Sequence, residues 1–159
     1  DQPRSRGLGD VYKRQIIYAA IRNHNKNMIE DALTEEKILY CKILRDADKI
    51  DILRLSATTY WKNETEKVEK AIINKEMLTE FCNHHTIDTS KITENTQLDK
   101  LVKMIAFIYD LQYKISFEIL KEKDYFNKII DRFDFKENQT KESILDMKKI
   151  GNEFINSKI

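Results

Sequence analysis

From Ile17 onward, apolar side chains return every three or four residues, the spacing of helices with one buried face. Ile17, Ala20, Ile21 and His24 fall on one such face, and the polar stretch NHNKNMIEDAL (23–33) then reads as a link. Thr34 ahead of Glu35 and Glu36 offers a cap with acids in the first turn, so a second helix is predicted from about Glu35 to near Leu55. Residues 63–82 predict a third, with Asn63 and Glu66 spaced as a capping box, followed by a loop over 83–95. Thr96 and Asp99 repeat that pattern before a long helix. There Leu98, Leu101, Ile105, Ile108, Ile115 and Ile119 keep the spacing, interrupted only at Gln112. EKDYFNKIIDRF (122–133) continues or follows that helix. A last helix over 141–156 aligns Ile144, Met147, Gly151 and Phe154. A glycine inside a helix costs about 1 kcal/mol against alanine, so Gly151 predicts a close helix crossing.

Composition sharpens the picture to an all-α fold, because 159 residues contain only three Gly and one Pro. That length suits one domain, or a domain with an extension. Charged residues make up 35% of the chain yet sum to +1, which gives no field to gather nucleic acid or an anionic membrane. No apolar run approaches the roughly 20 residues of a membrane span. Cys41 and Cys82 have no paired spacing and read as reduced thiols of a cytoplasmic protein. Tyr60 and Trp61 are expected to plug the core or the junction after the second helix. Residues 1–15 stand apart: they hold the only proline, two of the three glycines and three of the seven arginines. GLGDVYKRQ resembles a translated sequencing adapter, so 1–15 is expected to be artefactual or disordered. The protein proper would then begin near Ile16, with sequence missing upstream.

The second helix carries the candidate chemistry. At about 100° per residue, Leu39, Ile43, Ala47, Ile50 and Leu53 form one apolar arc, and Leu44, Leu55, Cys41 and Ile52 a second nearly opposite. Lys42, Arg45 and Lys49 fill the remaining polar sector. Asp46 falls within the first arc, Asp48 within the second, and Asp51 between Tyr40 and Leu44. A helix apolar around most of its girth is a central one. A carboxylate buried there must be paired, protonated or bound to metal, since an unpaired buried charge costs several kcal/mol. Ion pairs with Arg22 or Arg54 are the structural explanation; a metal is the functional one. His24, on the preceding helix, is either a hydrogen-bonded core residue or a ligand facing the same cavity as Asp48. Cys82, His84 and His85 lie in a loop without a completing pair and are assigned no metal.

AIRNHNK (20–26) and KILRDADKIDIL (42–53) resemble the C-terminal half of the HD superfamily of metal-dependent phosphohydrolases. The resemblance implies a helical HD-type domain over 16–60 and a helical extension over 61–159. It makes Asp48, in the Ala47-Asp48-Lys49 step, the closing metal ligand, and His24 an intermediate ligand or a neighbour of the substrate phosphate. It implies a divalent ion such as Mn, Mg or Fe, and as substrate a nucleotide or other phosphate-containing small molecule. No His precedes His24 and no His-Asp dipeptide occurs, so the fragment is expected to be inactive by itself. Its exposed inner face would make it marginally stable or drive homo-oligomerisation. The alternative is a helical interaction or regulatory module whose acids only form ion pairs.

Overall fold

In the computed structural model, residues 4–26 and 28–159 are described, residues 4–8 by their backbone alone. These residues form eight α-helices and one 3₁₀ helix, and no strand. The chain divides into two compact units, 1–48 and 49–159, with the division falling inside the second helix.

The first unit holds α1 (Arg4–Asn23) and most of the first four turns of α2 (Glu35–Thr58). Residues 4–15, set apart by composition, are helical and continuous with the turns that follow. α1 turns Ile16, Ala20 and Asn23 inward, and the Cys41 thiol donates to the Ala19 carbonyl, joining the two helices. Tyr12 adds a hydroxyl bond to Glu36 at 2.6 Å.

The second unit begins with the rest of α2. It continues through α3 (Thr65–Glu69), α4 (Lys75–Cys82), α5 (Gln97–Ile105), a 3₁₀ helix (Ala106–Asp110), α6 (Lys114–Lys123), α7 (Tyr125–Asp131) and α8 (Asn138–Ser157). The single helix expected over 63–82 is two. Glu64, not Asn63, stands at the start of α3 and makes no side-chain cap. Asn74 caps α4 by accepting from the backbone of Glu76 and Met77. Between them, the Ile73 N–H turns away to the Thr140 hydroxyl at 3.1 Å, so a distant hydrogen bond outweighs continued helix. The Thr96–Asp99 capping box does form. The long helix expected beyond it is divided: α5 ends at Ile105, the 3₁₀ helix carries the chain to Asp110, and a break at Leu111–Tyr113, around the Gln112 that interrupts the apolar pattern, precedes α6.

One continuous core fills this unit, with Trp61, Phe81, Leu101, Ile129 and Met147 fully buried. Trp61 meets Phe133 edge to face at 5.9 Å, as a plug after α2 should, whereas Tyr60 stays half-exposed. Gly151 marks the crossing of α7 and α8. A Cβ there would lie inside van der Waals contact of Phe126 Cζ and 2.7 Å from its Cε1.

Candidate functional site

His24 follows the end of α1, the three aspartates lie along α2, and the contact between the two segments is made by Arg45. α1 ends with carbonyls that have no partner within the helix. Arg45, one turn after Cys41, reaches back to them: Nη1 donates to the Asn23 carbonyl at 3.1 Å and also to that of Lys26. A cation at a helix C-terminus is further favoured by the helix dipole. Asn23 completes the corner. Its Nδ2 donates to the Ala19 carbonyl at 2.8 Å, and its Oδ1 accepts from the Glu30 backbone at 3.0 Å. Lys26 and Arg22 both pair with the Glu30 carboxylate, at 2.5 and 3.1 Å. The bond from Lys26, and then the charge of Arg22, hold that carboxyl below the usual carboxylate range.

Over residues 39–49, α2 is thereby turned opposite to the orientation its first apolar arc suggests. The basic sector faces inward: Arg45 is 5% and Lys49 7% exposed, with Asp46 beside them at 3%. The first part of the first apolar arc faces outward, where Leu39 and Ile43 are 46% and 47% exposed and Ala47 is exposed too, whereas Ile50 and Leu53 of the same arc pack into the core of the second unit. Directional bonds explain the inversion. Removing the Arg45 guanidinium from the carbonyls of Asn23 and Lys26 would cost two hydrogen bonds to a charged group, each worth about 1.5–3 kcal/mol. Exposing part of an aliphatic side chain forfeits less. One signal in the sequence carried this register: Cys41, Arg45 and Lys49 recur every fourth residue, with Ser56 seven further on. Cysteine is among the most buried residue types, and here Cys41 and Ser56 are both buried. Burial also pushes the Cys41 thiol upward in pKa.

The three aspartates have different surroundings. Asp46 is buried and takes part in a polar interaction. Asp48 is half-buried, and no hydrogen bond or ion pair to another described residue engages its carboxylate. Asp51 is exposed and bound by Arg54, whose Nε and Nη2 lie 2.9 and 2.7 Å from Oδ1, so the structural explanation holds for it. His24 sits in the turn after α1, half-buried, its Nδ1 2.5 Å from the Ile21 carbonyl, which leaves Nε2 as its free ring nitrogen.

Lys49, in the second unit, makes a buried ion pair with Asp110 at 2.8 Å. The loop histidines are occupied locally: His85 pairs with Glu80 at 2.9 Å, and His84 stacks near Tyr109 and Phe154. Among the described residues no group of three His, Cys, Asp or Glu side chains gathers as a metal set. Nor is any described helix long and apolar enough to cross a membrane. No family model, no curated protein and no solved structure matches the chain.

Proposed function

We propose that this chain contributes part of the metal centre of an HD-type phosphohydrolase, with Asp48 and His24 as its donors. The observation that carries the reading is the Arg45 bridge. It ties the RDADKID segment of α2 to the backbone of the NHNK turn, the two segments on which the resemblance rests. The half-buried Asp48 carboxylate and the free Nε2 of His24 are donors of the right chemistry. Two donors do not make a catalytic site, which needs at least three protein ligands. The residues present therefore do not fit a metal by themselves, and no reaction step is assigned to this chain alone. In a complete centre the ion would supply an activated water and neutralise phosphate charge; the substrate class is a phosphate ester or nucleotide.

Metal analysis of the complete gene product tests this. Wild type should retain a divalent ion after gel filtration, and Asp48→Asn should lose most of it, with circular dichroism unchanged. Equal metal in both proteins removes Asp48 from the site. The second reading, a non-catalytic helical interaction module, draws on the outward Leu39 and Ile43. It gains if neither protein holds metal.

A further inference from the structure

A cleft of about 350 Å³ opens in the second unit, with neither His24 nor any of the three aspartates of α2 in its lining. Ile52, Leu55, Tyr60, Met104 and Phe107 form its apolar walls, and Lys100, Lys103 and Glu94 stand among them as its charged groups. Past Glu94 and Lys100 it adjoins a shallower, more polar cleft lined by Lys67, Lys70 and Thr96. Apolar walls with a few placed polar groups, at the small end of the usual volume range, describe a small-molecule site rather than a protein groove.

The charges say what kind of molecule fits. Four ammonium groups and one carboxylate line the two clefts. Lys103 is matched by Glu94 at 3.4 Å, Lys67 by Glu64 at 3.0 Å, and Lys70 by Glu66. Lys100 lines both clefts, is half-buried, and forms no ion pair with a described residue. A partly desolvated cation lacking a counter-charge attracts an anion more strongly than one in bulk water. The backbone N–H groups opening α5 are not the anion site, because Thr96 and Asp99 already cap that turn.

We propose that this cleft binds a small organic acid, its aromatic or aliphatic body against Leu55, Met104 and Phe107 and its single carboxylate on Lys100. One unmatched ammonium calls for one negative charge, which favours a carboxylate over a dianion. The proposal is independent of the hydrolase reading and uses none of its residues.

Calorimetric titration of the whole chain with 1-naphthoate, naphthalene-1-methanol and 1-naphthyl phosphate tests it. Naphthoate should bind one to one and at least ten-fold tighter than the neutral alcohol, and that preference should vanish in Lys100→Met. Leu55→Glu, a change on a partly exposed wall, should weaken both naphthoate and alcohol; circular dichroism identifies a folded variant, and Lys75→Met serves as a control outside the cleft. The proposal is overturned if the alcohol binds as well as the acid, if Lys100→Met leaves naphthoate affinity unchanged, or if the phosphate binds tighter than the carboxylate.

Discussion

The two units are built on opposite principles. Among the described residues of the first, the buried side chains are Ile16, Ala20 and Cys41 on the apolar side, and Asn23, Arg45 and Asp46 on the polar. Its interior is held by hydrogen bonds of fixed direction, while Ile17, Tyr18, Leu39 and Ile43 remain outside. The second encloses a continuous apolar core from Leu53 to Ile155, and its buried ion pair, Lys49–Asp110, is an addition to that core. Apolar packing is non-directional and tolerates many arrangements. A polar corner is satisfied in one arrangement only. The contrast teaches that the segment bearing the candidate chemistry is specified by geometry, and the remainder by burial.

Substitutions that separate the units sharpen this contrast. The largest effect is expected from Phe81→Ala, which empties a fully buried site beside Tyr109 and Phe126. A loss of about 3–5 kcal/mol is expected, read by denaturant unfolding, with amide exchange accelerated through α4, α5 and α8. Arg45→Met keeps much of the volume but removes the guanidinium's bonds to the carbonyls of Asn23 and Lys26. It should cost about 2–3 kcal/mol, with faster exchange confined to the last turns of α1 and the 23–34 link. If each variant loosens both units equally, they fold as one cooperative body and the contrast fails.

Much of the second unit was legible before its structure, because apolar periodicity reports burial wherever burial decides. Ile144, Met147 and Gly151 lie inward as spaced, and the α5 capping box forms from Thr96 and Asp99. Periodicity misled where a polar bond decided instead. The Ile73–Thr140 bond splits the expected third helix between residues far apart in sequence, which no local pattern records. Arg45 turned α2 around for the same reason: a wheel assigns charge to solvent and cannot see a helix end waiting for donors. Of the candidate site, a common cavity for His24 and Asp48 was one of two alternatives the sequence left open, and Arg45, which joins the two motif segments, was not anticipated.

The smallest expected effect probes the second unit's own polar exception. The Tyr109 hydroxyl is buried and has no hydrogen-bond partner among the described residues, so it is desolvated without compensation. Tyr109→Phe removes that oxygen and keeps the ring that meets Phe81 at 5.0 Å and Phe154 at 4.8 Å. At neutral pH the change should be neutral or stabilising by up to about 1 kcal/mol. The same burial, aided by the nearby Cys82, raises the phenol's pKa above its ordinary 10.0. Tyrosine becomes charged on losing its proton, so the fold favours the neutral form. That contribution is complete below pH 10 and is lost as pH rises toward the folded-state value, because the unfolded chain ionises first. Wild type should therefore lose stability faster than Tyr109→Phe in denaturant melts taken above pH 10. Parallel curves across that range would mean the hydroxyl reaches water, and that this core is less closed than the contrast between the units requires.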